Sequence, residues 1–153
     1  MEIVNLRDEP HYLPQLAQWH HAQWHFLNPG QSLSDRIAKM QAYLAGTLLP
    51  STLVGKVNGE LVGSASLVSC DMDTHSELSP WLASVYVDKP WRRRGVGGEL
   101  VEAVMALAHA GGYSEMYLFT DEQSRFYEKL GWRVWSQEVY RDTPVTIMHA
   151  ALC

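Results

Sequence analysis

The stretch Val85-Tyr-Val-Asp-Lys-Pro-Trp-Arg-Arg-Arg-Gly-Val-Gly-Gly98 passes from an apolar, β-branched run through a basic turn into glycines that open a helix. A strand that stops at a helix start brings free backbone N–H groups and the positive end of a helix dipole to one point, which is how an anion site is built. Gly95, Gly97 and Gly98 keep side chains away from that point. Arg92, Arg93 and Arg94, with Lys89 upstream, set positive charge beside it. The pattern implies a ligand that carries several phosphates.

Apolar Trp81 to Val87 reads as a central strand. Val96, Leu100, Val104, Leu107 and Ala108 trace one face of the following helix as far as Gly111-Gly112. Upstream, Thr52 to Val57 and Glu60 to Val68 are β-rich runs joined by Asn58-Gly59, a pair suited to a type I′ hairpin turn. Before them come a short strand at Ile3 to Leu6, a helix from about Pro10 to Phe26, and a second helix from Ser32 to Gly46. Downstream, Ser114 to Thr120 is a strand, and Asp121 is placed to cap a helix carrying Phe126, Tyr127 and Leu130. Strands Arg133 to Tyr140 and Val145 to Leu152 follow, turning at Asp142-Thr143-Pro144. The expected order is β-α-α-β-β-β-α-β-α-β-β in one domain, residues 1–153. This is an α/β chain whose long antiparallel part departs from regular doubly wound alternation.

The bulk properties narrow the function. A net charge of -5 argues against nucleic-acid binding, so the basic cluster at Lys89 to Arg94 needs a local reason. Cys70 and Cys153 suggest neither a disulfide framework nor a zinc site. The first residues carry no basic-then-apolar signal pattern and no run is long enough to cross a bilayer, so a cytoplasmic protein without membrane partners is expected. His21 and His25 stand four apart on a helix, but Ala22-Gln23-Trp24 between them lacks the carboxylate of a His-Glu-x-x-His site, and no metal is expected. Gly95-Val-Gly97-Gly98-Glu-Leu100 lacks the third glycine of a dinucleotide fingerprint, and no Gly-Lys-Ser/Thr follows as in a P-loop.

Arg92-Arg-Arg-Gly95-Val-Gly97 resembles the Arg/Gln-x-x-Gly-x-Gly/Ala acetyl-CoA motif of the GCN5-related N-acetyltransferase (GNAT) superfamily. Phe126-Tyr127-Glu-Lys-Leu-Gly131-Trp132 is similar to that family's late Phe-Tyr-x-x-x-Gly-Phe/Trp signature. Both motifs occur in the right order and strand-helix context between Trp81 and Val134. The resemblance implies the GNAT acyltransferase fold, acetyl-CoA as co-substrate, and transfer of acetyl to a primary amine of a small molecule or peptide. It implies that Val85, Tyr86 and Val87 pair with the pantetheine arm. The N–H groups from Arg93 through Gly98, with Val96 among them, then hold the diphosphate, and an arginine of the run or Lys89 meets the 3′-phosphate.

By the same match Tyr127 is the acid that protonates the leaving thiolate, and Thr120 stands near the position of a cofactor-touching Asn that this chain lacks. No carboxylate occurs in Trp81 to Val87, so the base stays open among Glu77, Asp121, Glu122 and a water held by Ser84 or Thr120. Trp24, His25 and Ser84 are candidates for the acceptor pocket. The acidic composition leans towards a small cationic amine or a peptide α-amine, and a monomer or homodimer is expected. The alternative from another class is a non-catalytic acyl-CoA sensor or interaction module of the same fold.

Overall fold

The computed structural model of the chain describes residues 1–152. Its elements follow the expected order: β1 (Glu2–Asn5), α1 (Leu13–Trp24), α2 (Leu33–Met40), β2 (Ser51–Val57), β3 (Glu60–Val68), β4 (Trp81–Val87), α3 (Val96–Ala110), β5 (Glu115–Thr120), α4 (Ser124–Lys129), β6 (Arg133–Tyr140) and β7 (Thr143–Ala151). One seven-stranded sheet runs β1-β2-β3-β4-β5-β7-β6, and every neighbouring pair is antiparallel except β4 and β5. None of the helices is long and apolar enough to cross a membrane.

The helices divide between the two faces of the sheet. Val96, Leu100, Val101, Val104 and Ala108 of α3 are at most 6% exposed and pack with Val62, Leu67, Leu82, Met116, Leu118 and Met148 of the strands. Burying each such side chain stabilises the fold by about 1.5–3 kcal/mol before conformational entropy is counted. Leu13, Leu16 and Ala17 of α1, with Met40 of α2, cover Val54 and Leu61 on the opposite face. A third cluster, centred on Trp81, Tyr117, Tyr140 and Ile147, lies where β4 and β5 start side by side.

Several boundaries differ from the sequence reading for local reasons. The helix expected from Pro10 to Phe26 is α-helical only over Leu13–Trp24, between 3₁₀ turns at Pro10–Tyr12 and His25–Leu27. Pro14 has no N–H to reach the Pro10 carbonyl, and Leu13 N–H takes that carbonyl in a tighter turn instead. The second helix starts on a full capping box, in which Ser32 and Asp35 satisfy each other's backbone N–H groups, and runs into a 3₁₀ turn after Met40. Asn58 and Gly59 both adopt positive φ, 52° and 79°, as a type I′ hairpin requires.

The last hairpin turns at Arg141-Asp142, not at Asp142-Thr143-Pro144, and Pro144 lies inside β7 opposite Val139. In a two-residue hairpin that pair is non-hydrogen-bonded, so the missing N–H of Pro144 faces the β5 side, where β5 has already ended at Thr120 opposite Thr146.

Candidate active site

The parallel strands β4 and β5 are in register at one pair only, Trp81 with Tyr117, and then diverge. Each strand is held on its other side: β3 pairs with β4 on both sides of a bulge, through Gly63↔Val87 and Ser64↔Tyr86 at its far end, and β7 holds all six residues of β5. The β5-facing edge of Val85, Tyr86 and Val87 therefore has no strand partner. The cause lies in β4 itself. Ser84 sits at φ 52°, and the pairing slips between Ser64↔Tyr86 and Ser66↔Ala83, so two residues of β4 oppose one of β3. Such a bulge bends its strand and sharpens its twist, here away from β5.

The open edge leads directly into the glycine turn. Asp88 N–H is bonded to Val62 O at 2.9 Å, and Arg92 Nε donates to Val87 O at 2.8 Å, which ties the turn back to the strand end. Arg93 and Gly95 both take positive φ, 64° and 81°. This left-handed pair curls the chain so that the N–H groups from Arg93 to Gly98 make no hydrogen bond to any described protein group; Glu99 N–H to Gly95 O, at 3.1 Å, is the first bond of α3. Arg92, Arg93 and Arg94 are exposed beside them without an acidic partner, Arg92 lying over the Tyr86 ring and Arg94 over Trp91. Six unpaired donors at the start of a 15-residue helix, with cations around them, fit a diphosphate.

Gly97 serves a second purpose. A Cβ there would stand 3.2 Å from Phe126 Cζ, so the first turn of α3 is in contact with α4. At Gly98 a Cβ would meet only Leu130, at an ordinary 3.7 Å.

Tyr127 follows Phe126 on that packed helix. Its ring is 8% exposed and makes edge contacts with Phe126 and Trp132, and burial pushes its phenol well above the usual tyrosine range. Its hydroxyl bonds no described protein group, yet it is not sealed from solvent. Thr120 has a structural duty, because its Oγ1 accepts the Gln123 N–H at 3.0 Å and so braces the turn that leads into α4. Asp121, the residue expected to cap α4, is exposed and does not do so: the N-cap position falls on Gln123, two residues later, and no side chain caps the helix.

On the opposite face, α1 brings Trp19, His20 and Trp24 around Tyr86, with Trp19 and Tyr86 centroids 5.1 Å apart and Trp24 and Tyr86 at 6.3 Å. The imidazole turned towards β4 is His20, not His25. His25 is exposed, its Nδ1 bonded to His21 O at 3.1 Å, while His21 Nε2 meets Gln31 O. His20 is 1% exposed and links Arg36 Nη2 at 3.2 Å to Ser64 Oγ at 2.9 Å. Because arginine can only donate, His20 Nδ1 accepts, Nε2–H donates to Ser64, and Ser64 O–H donates to the Ser84 carbonyl at 3.0 Å. Burial, reinforced by Arg36, lowers the His20 pKa to about 3, so this relay keeps one tautomer at every working pH.

Sequence reading chose His25 over His20 on this helix and missed Arg36 and Asp71. The available signal was an imidazole and a guanidinium on otherwise apolar helix faces, His20 in line with Leu16 and Arg36 in line with Leu33 and Met40. Asp71 carries no sequence signal; half-buried, its carboxyl is raised to about 7 by burial, against the opposing pull of Lys39, Arg36 and Arg141. Of the bases left open, Glu77 is held by His75 at 2.8 Å and Asp121 and Glu122 are exposed.

Residues 13–132 match the family model described as acetyltransferase (GNAT) family. The chain belongs to that family. Over 74 residues it is 36% identical to the mouse (Mus musculus) N-alpha-acetyltransferase 80, a match that spans 48% of this chain and 23% of that longer protein. An aminoglycoside 6′-N-acetyltransferase solved with coenzyme A has the same fold, with a TM-score of 0.79 at 18% identity over 100% of this chain and 98% of that one. The aminoglycoside 6′-N-acetyltransferase of Enterococcus faecium gives 0.76 at 17% identity over 100% and 98%. The GNAT fold read from two short motifs is thus the fold of the whole chain.

Proposed function

We propose that this protein transfers acetyl from acetyl-CoA directly to a primary amine of a small molecule or peptide. The observation that carries the reading is the unpartnered edge of Val85 to Val87 running straight into the free N–H groups from Arg93 to Gly98. An extended chain with amide groups can pair along that edge, and a diphosphate at its far end meets the six donors. Arg92, Arg93, Arg94 and Lys89 surround them and suit a further phosphate. Acetyl-CoA, when bound, supplies an activated thioester.

The residues of the chain would do the rest. Main-chain N–H at the Ser84–Val85 bulge would serve as the donor to an oxygen that gains charge during transfer. Tyr127, a phenol already protonated near neutral pH and raised further by burial, has no internal partner for its hydroxyl and can donate a proton to a departing thiolate. The amine must arrive neutral, and the aromatic wall of Trp19, Trp24 and Tyr86 with Ser84 beside it is the surface against which it would be presented.

The test is direct: calorimetric titration with acetyl-CoA, and thiol release followed across a panel of primary amines. Saturable binding with amine-dependent release is expected. Binding without release from any amine would leave only a non-catalytic acyl-CoA module.

A further inference from the structure

Arg36 is a cation without a counter-ion at the edge of the acceptor side of the cleft. Its Nη2 is pinned by His20 Nδ1 at 3.2 Å and by Ser84 Oγ at 3.4 Å, both neutral groups. No carboxylate among the described residues lies within ion-pair distance of it. Its Nε is buried and has no hydrogen-bond partner, whereas Nη1 makes no bond and keeps contact with solvent. A half-buried guanidinium that leaves donors unused is costly unless an anion completes it. Two residues link its position to the chemistry: Ser84 forms the bulge, and Val85, next in the chain, begins the open edge.

Resting on the acetyltransferase reading above, we propose that the acceptor carries a carboxylate near its amine, as an amino acid or short peptide does, and that Arg36 Nη1 receives that carboxylate. The relay from Arg36 through His20 and Ser64 to the Ser84 carbonyl holds the guanidinium at a fixed place relative to the bulge. A monoanion suits the site better than a phosphate, because Asp71 is close enough to share the local positive field of Arg36, Lys39 and Arg141 without touching Arg36. Trp19 and Trp24 stand around Tyr86 beside it and offer an apolar or aromatic side chain a surface. This anchor works against a polycationic acceptor such as an aminoglycoside, whose ammonium groups a fixed guanidinium repels.

The experiment compares thiol release from acetyl-CoA with matched pairs: phenylalanine against phenethylamine, tryptophan against tryptamine, and a dipeptide against its C-terminal amide. An aminoglycoside is added to the panel. The carboxylate-bearing member of each pair is expected to be favoured by about tenfold to a hundredfold in kcat/KM, the scale of a charge-assisted hydrogen bond. Arg36→Gln is expected to collapse that ratio mainly through KM, and Arg36→Lys to restore part of it, with acetyl-CoA titration as the check that each variant is folded. Because the wild-type pairs need no variant, poor folding of either substitution leaves the comparison decisive. Acetylation of the decarboxylated amines or the aminoglycoside at equal or greater efficiency overturns the carboxylate anchor and leaves the acetyltransferase reading standing. Acetyl-CoA binding with no release from any member overturns both.

Discussion

Replacing Gly98 by Asp separates what the fold needs from what the ligand needs. Gly98 is the third residue of α3, its φ is not in the left-handed region, and an added Cβ would make only an ordinary 3.7 Å contact with Leu130. Aspartate has a helix propensity about 0.3 kcal/mol better than glycine, and a carboxylate in the first turn adds about 0.3–1 kcal/mol through the dipole. Stability is therefore expected to rise by about 1 kcal/mol, or roughly 2–4 °C in Tm for a chain of this size. The same carboxylate would occupy the space into which the free N–H groups point. A unit charge about 4 Å from a phosphate oxygen costs about 4 kcal/mol at an effective dielectric near 20, which is roughly a thousandfold in Kd.

Calorimetric titration with acetyl-CoA and a thermal melt read the two effects, with Gly98→Asn as the neutral isostere that separates shape from charge. The variant should be more stable and unable to bind. If Gly98→Asp binds acetyl-CoA within tenfold of the unaltered protein, the start of α3 is not the diphosphate seat. A Tm lower by several degrees would refute the packing argument instead.

Three further perturbations test other parts of the structure. Tyr127→Phe should lower turnover about a hundredfold with acetyl-CoA affinity and Tm nearly unchanged, since the lost hydroxyl bonds no described protein group; unchanged turnover removes Tyr127 from the mechanism. Asp71 has a folded-state pKa raised to about 7 from 3.8, so the folded chain holds that proton more tightly than the unfolded chain, and its ionisation erodes stability between about pH 4 and pH 7. Asp71→Asn should accordingly stabilise the protein at pH 8 by roughly 2 kcal/mol, allowing for its partial exposure, and have little effect at pH 4; denaturant melts at the two pH values decide it, and equal effects at both would contradict the assignment. A Cβ at Gly63 would fall 2.8 Å from Tyr86 O and 3.0 Å from Leu100 Cδ1, so Gly63→Ala should cost about 2 kcal/mol, and an unshifted melt would show that β3 and β4 have slack there.

The sequence alone determined the parts whose signals are local. Asn58-Gly59 and the glycine turn from Arg93 to Gly98 each specify a backbone conformation through their own side chains or lack of them, and the second helix begins after Ser32 as read. The order of strands and helices followed from periodicity in the same way, and the two motifs were enough to name the family. What the sequence could not hold was anything made by residues distant along the chain. The gap between β4 and β5 depends on a bulge at Ser84 that only the register with Ser64 and Ser66 reveals. His20, Arg36, Ser64 and Ser84 come from four separate elements, and their relay exists because α1 and α2 lie across β3 and β4. Burial does the rest: it silences His20, raises Asp71 and lifts the Tyr127 phenol further above its ordinary range, and a pKa set by desolvation cannot be read before the fold decides which groups lose their water.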